Sequence, residues 1–159
     1  MSQRINYNQQ SGPAVQSLMG LEAYLKTTSL EKNLIHMVKI RVSQLNGCAF
    51  CVDMHHKEAK IDGEKELRLY HLTVWHESPL FENRERAALR WAELLTRIPH
   101  EGVSDEEFKK VREFFSEKEV SDLTMAIVSI NAWNRLGVAF RSTPGAMDKL
   151  FGLDKAGLS

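Results

Sequence analysis

The stretch Leu34-Ile-His36-Met-Val-Lys39-Ile-Arg-Val-Ser43-Gln-Leu-Asn46-Gly47-Cys48-Ala-Phe-Cys51-Val-Asp-Met-His55-His56 decides how this chain folds and where its chemistry sits. Leu34, Val38, Val42 and Leu45 recur at helical spacing, and Ile35, Met37 and Ile40 widen the stripe until the helix reads as nearly all-buried. Asn46-Gly47 is a stop-and-turn signal. Cys48 then opens a second helix, running to about Lys60 and ended by Asp62-Gly63. At roughly 100° per residue, Cys51 lies about 60° and His55 about 20° from Cys48 around that helix, so the three share one face. His56 points about 80° away and is the poorer candidate.

Position on the helix matters as much as spacing. Gly47 puts the cysteine pair at a helix N-terminus, where unpaired N–H groups and the macrodipole favour negative charge. A thiolate is stabilised there, and an imidazole one turn on can accept or relay its proton. Other readings of a C-x-x-C pair compete. Free cysteine is often simply a core residue. Structural zinc needs four ligands, and this chain has two cysteines and no second knuckle, although a mixed site with His55 and a distant histidine is conceivable. Covalent haem needs histidine directly after the second cysteine, where Val52 stands. A thioredoxin-like site needs a βαβ context that is missing here.

Outward from this segment the helical signals continue. Leu18, Leu21 and Leu25 give a short amphipathic helix, preceded by residues 1–17 as a loose or wrapping arm. Leu67, Tyr70, Leu72 and Trp75 suggest a short helix closed near Ser78-Pro79. Ala87, Ala88, Trp91, Leu94, Leu95 and Ile98 form a stripe halted by Pro99. Capping boxes at Ser104–Glu107 and Ser116–Glu119 lead into Phe108, Val111, Phe114, Phe115 and then a long helix from Val120 through Leu136, broken by Pro144-Gly145. Strand patterns are sparse, so the expected fold is all-α, a single domain of about seven helices. Asn131 and Asn134 interrupt an apolar helix and are expected to bond across a helix pair or a subunit interface. Trp75, Trp91 and Trp133 read as core or interface residues. His36, Lys39 and Ser43 line up as a polar strip, either the wall of a pocket or a solvated face.

The 159 residues carry 21 basic and 21 acidic side chains, so no net charge draws the chain to nucleic acid or an anionic membrane. Hydrophobic and charged fractions of 43% and 26% suit a soluble globular protein. The polar N-terminus lacks an apolar signal core and no run spans a bilayer, so a cytoplasmic setting is expected. A reducing compartment keeps such a thiol pair free to react.

The N-G-C-x-x-C-x-x-x-H segment, together with Ile130-Asn-Ala-Trp-Asn-Arg-Leu-Gly-Val-Ala-Phe140, resembles the AhpD-like alkylhydroperoxidase branch of the carboxymuconolactone decarboxylase family. The likeness runs from about Leu18 to Pro144. It implies an all-helical fold assembled as trimers or hexamers, with no metal or organic cofactor. It also implies that Cys51 attacks a hydroperoxide and becomes a sulfenic acid. Cys48 then resolves it to a disulfide, His55 relays protons, and a dithiol or lipoyl-type protein restores the thiols. One position departs from the pattern. The family's relay glutamate lies twelve residues before the first cysteine, and here that residue is His36. A histidine relays protons near neutral pH, with a different pH profile; alternatively, His36 marks a weak peroxidase. The leading expectation is a thiol-dependent peroxidase with Cys51, Cys48, His55 and His36 as its site. The alternatives are a thiol–disulfide adaptor or an oxidant-sensing helical oligomer.

Overall fold

The computed structural model describes residues 2–158, which form nine α-helices and two 3-10 turns. The helices are α1 (Tyr7–Gln10), α2 (Gly12–Leu25), α3 (Lys32–Leu45), α4 (Ala49–Ile61), α5 (Glu66–His71), α6 (Asn83–Thr96), α7 (Asp105–Arg112), α8 (Glu117–Phe140) and α9 (Asp148–Phe151), with 3-10 turns at Leu72–Val74 and Leu153–Ala156. No strand occurs among the described residues, so the all-α expectation holds. The two extra helices relative to the sequence reading are the four-residue α1 and α9.

Helix α3 is the central element, in contact with α4, α6 and α8. Its near-continuous apolar composition explains this. Leu34, Met37, Val38, Ile40 and Val42 are all buried, as an element packed on several sides requires. Leu69, Leu72, Trp75, Leu89, Leu123, Ile127 and Ile130 close the core around it. The α8 N-terminus carries the predicted capping box, Ser116 with Glu119. At α7 the Ser104 hydroxyl accepts the Glu107 N–H, the first half of the same motif.

Several stripe assignments shift. Leu67 and Tyr70 are exposed, and Leu69 takes their place on the buried side of α5 with Leu72 and Trp75 beyond it. Ile98, Phe108 and Phe114 are exposed, because α6 ends at Thr96 and α7 is too short to bury more than Val111. The α2 helix begins at Gly12 with Pro13 in its first turn, a position that suits proline's fixed φ and missing donor. Ahead of it, the Arg4 N–H donates to the Phe140 carbonyl at 2.9 Å, so the arm runs against the end of α8. No helix among the described residues is long and apolar enough to cross a membrane.

Candidate functional site

The corner between α3 and α4 sets the cysteines in place. Gly47 adopts φ +66°, the left-handed conformation that glycine enters without steric cost. The N–H of Gly47 donates to the Gln44 carbonyl at 3.2 Å and that of Cys48 to the Ser43 carbonyl at 3.0 Å, the paired bonds of a Schellman ending. Cys48 therefore terminates α3 and also serves as the N-cap of α4. Its backbone is extended, and its sulfur accepts the Cys51 N–H at 3.3 Å. The N-cap position replaces the expected first helical position, yet Cys48 and Cys51 still meet in a disulfide, with Cα atoms 5.4 Å apart.

Helix α8 covers the sulfurs. A Cβ on Gly137 would lie 2.9 Å from Cys48 Sγ and 3.5 Å from Cys51 Sγ, so the missing side chain is what admits the pair. The same helix anchors the turn. The Asn46 amide donates to Asn134 at 2.9 Å and to Asn131 at 3.0 Å, and Asn134 donates to Ser43 at 3.0 Å. Asn131 and Asn134 thus bond across a helix pair, as buried amides must. The cysteines end up 1% and 3% exposed.

One turn along α4, His55 is buried and its Nδ1 lies 2.6 Å from Glu58 Oε2. Burial lowers the His55 pKa, more than the Glu58 carboxylate restores. Burial would raise Glu58, but the hydrogen bond and charge of His55, with Lys39 and His36 nearby, hold it down to about 2. With Glu58 ionised and accepting only, Nδ1 of His55 carries the proton and Nε2 is left as the acceptor. His56 turns away and bonds the Val52 carbonyl of its own helix at 2.7 Å.

His36 joins this group from α3. Its Nε2 is 2.8 Å from Asp62 Oδ2 and its Nδ1 is 3.9 Å from Glu58 Oε2. Lys39 and Ser43 are buried, so the polar strip of α3 is interior rather than solvated. Lys39 pairs with Glu22 of α2 at 2.5 Å, and Glu22 also accepts from Ser129 at 2.6 Å and Trp133 at 3.2 Å. Burial raises Glu22, while Lys39, Ser129 and His55 outweigh it and leave the pKa below 4.5. Cys48 and Cys51 are thus brought together, and His55 and His36 both face Glu58.

Sequence reasoning missed Glu58, Glu22 and Gly137. Glu58 stands three residues after His55, a spacing at which helical side chains meet. Gly137 interrupts a helical pattern, which usually signals close packing. Glu22 has no local signal, because its partners come from α3 and α8.

Comparison with known proteins agrees with this architecture. The family model for the carboxymuconolactone decarboxylase family matches residues 12–94. The uncharacterised protein YdfG of Bacillus subtilis is 42% identical over 139 residues, covering 87% of this chain and 95% of YdfG. An Agrobacterium tumefaciens protein of unknown function, presented as an antioxidant-defence protein of the AhpD kind, superposes with a TM-score of 0.86 at 43% identity over 91% of this chain and 99% of its own. The debrominase Bmp8 shares the fold at a TM-score of 0.77 and 19% identity, over 93% of this chain and 79% of its own. The matching family model, the close relatives and the helical corner that carries the cysteine pair together establish that this chain belongs to the AhpD-like branch of the carboxymuconolactone decarboxylase family.

Proposed function

We propose that this chain is a thiol-dependent peroxidase that reduces hydroperoxides through Cys51 and Cys48. The observation that carries the reading is the Cys48–Cys51 disulfide at the N-terminus of α4, capped by a backbone N–H and faced by a glycine. A pair held at bonding distance beside helix N–H groups favours thiolate in its reduced form and closes quickly when oxidised. The 43%-identical Agrobacterium relative supports an antioxidant role, whereas the fold alone also serves a debrominase.

In the forward step the Cys51 thiolate attacks one peroxide oxygen. The O–O bond breaks, the alkoxide leaves with a proton as alcohol, and Cys51 becomes a sulfenic acid. The Cys48 thiolate then attacks the Cys51 sulfur, the S–O bond breaks, and hydroxide takes a proton to leave as water. His55 Nε2 is the bare nitrogen that moves these protons, with Glu58 fixing the tautomer through Nδ1. An external dithiol or lipoyl-type protein supplies two electrons to reopen the disulfide. Exchange favours the better leaving thiolate, and the N–H on Cys48 Sγ makes that sulfur the leaving group, so the reductant attacks Cys51. With the sulfurs 1% and 3% exposed, substrate and reductant reach them when the first turn of α4 and the facing stretch of α8 part. The reading includes a reducing, cytoplasmic setting and a homo-oligomer, trimer or hexamer.

The test is consumption of cumene hydroperoxide by the reduced protein with dithiothreitol as electron donor. Cys51→Ser is expected to lower turnover by about a thousandfold or more. Full activity in that variant, or no peroxide consumption by the wild type, rules the reading out.

A further inference from the structure

The cluster of His36, His55 and Glu58 has a feature that proton relay leaves unexplained. Among the described residues, His36 Nδ1 is the one buried side-chain nitrogen or oxygen without a hydrogen-bond partner. Its other nitrogen, Nε2, lies 2.8 Å from the Asp62 carboxylate, which accepts only, so Nε2 carries the proton and Nδ1 presents a lone pair. That lone pair faces Glu58 Oε2 at 3.9 Å. Two acceptors on neighbouring helices, one buried and the other only partly exposed, suit a cation between them.

We propose that His36, His55 and Glu58 form a binding site for a divalent first-row transition ion, beside but separate from the cysteine pair. One donor atom from each of the three residues lies within 4.8 Å of the other two. Four donors about 2.1 Å from a tetrahedral ion stand about 3.4 Å apart. The pairs here, at 2.6 Å for His55 Nδ1 to Glu58 and 3.9 Å for His36 Nδ1 to Glu58, bracket that separation; small side-chain rotations suffice once the His55 proton moves from Nδ1 to Nε2, which frees Nδ1 for the ion. Two imidazoles and one carboxylate suit zinc, cobalt or iron(II) and leave a position open, whereas magnesium and calcium prefer oxygen throughout. Asp62 completes the arrangement in the way that metal-binding histidines require, by accepting the far N–H and fixing the ring. Glu58 and Asp62 are each about one-third exposed, which gives the ion its route in. Lys39, whose charge reaches Glu58, is neutralised by its own pair with Glu22.

The inference goes beyond the peroxidase reading and is tested without turnover. Oxidised protein, its sulfurs locked in the disulfide, is titrated with Zn²⁺ by calorimetry and with Co²⁺ by visible absorption. One saturable site in the micromolar range is expected, with a d–d spectrum and no thiolate charge transfer. Mg²⁺ in excess is expected not to compete. His36→Gln and Glu58→Gln should each weaken binding at least tenfold, and Asp62→Asn by about tenfold, as loss of an outer carboxylate does. The helical circular dichroism of each variant is recorded alongside. Absence of a saturable site below millimolar Zn²⁺ overturns the proposal, as does undiminished binding in folded His36→Gln and Glu58→Gln. A peroxide-inert protein that still binds Zn²⁺ would refute the peroxidase reading alone.

Discussion

Two partly buried charge clusters flank α3, and they are built differently. In one, Arg68 of α5 donates through Nε to Glu64 at 2.8 Å, through Nη2 to Glu85 at 2.5 Å, and through Nη1 to the Leu80 carbonyl. Glu64 also accepts the Lys65 N–H at 2.8 Å, and Glu85 accepts the N–H of Glu82 in the α6 capping box at 2.8 Å. This cluster closes on itself, tying α5 to the start of α6. In the other, His55 and Glu58 are matched but His36 Nδ1 is left without a partner. A cluster that serves only to fasten helices satisfies every group, because an unpaired buried donor or acceptor costs stability. A cluster with a spare lone pair beside the cysteine pair has retained something to bind or transfer.

The contrast can be broken by substitution. Arg68→Ala leaves the Glu64 and Glu85 carboxylates without their cation, and is expected to destabilise the fold by about 3 kcal/mol or more in urea unfolding. Peroxide turnover per folded molecule should be unaffected. If Glu58→Gln cost as much stability as Arg68→Ala, the distinction between the clusters would be lost.

Gly137→Ala comes next in size. It pushes a methyl group against Cys48 Sγ and is expected to cost about 2 kcal/mol, as overpacking does. In the dithiol form the Cys48 side chain can rotate away, so the oxidised protein should suffer more. Its disulfide should then open at lower dithiothreitol concentrations than in the wild type, and an unchanged opening midpoint would show that α8 does not press on the sulfurs.

Glu58→Gln is expected to slow the reaction of Cys51 with peroxide by roughly tenfold while leaving the fold intact, since it removes the group that fixes the His55 tautomer. Stopped-flow measurement of single-turnover oxidation reads this directly.

The smallest effect concerns acid. Glu22 has a folded pKa held below its ordinary value of 4.5 by Lys39, Ser129 and His55 against the effect of burial. A depressed carboxylate contributes stability that is present above pH 4.5 and lost as pH falls through its folded value. Thermal unfolding of Glu22→Gln should therefore show a flatter acid limb below pH 4.5 than the wild type, and an identical limb would remove Glu22 from the linkage.

How much of this was legible varies by position. The buried stripe of α3, the Asn46-Gly47 turn and the capping residues of α7 and α8 are written in local spacing, because helices and their ends are set by neighbours a turn away. The reversal at α5, where Leu69 replaces Leu67 and Tyr70 inside, was not legible. Six helical residues admit more than one apolar face, and the place of Leu69 in the buried core chose between them. The polar strip of His36, Lys39 and Ser43 looked equally suited to water or to a pocket until Glu22 and Asn134 were seen to meet it.

The cysteine pair, its turn and His55 on the same helix were determined by the sequence alone, since i, i+3 and i, i+7 relations need only one helix. The glycine of α8 that admits the sulfurs, the approach of His36 to Glu58 and Asp62, and the pairing of Lys39 with Glu22 were decided by tertiary structure. The Gly137 and Glu22 contacts join residues that are remote along the chain, and only helix packing could bring them to the site.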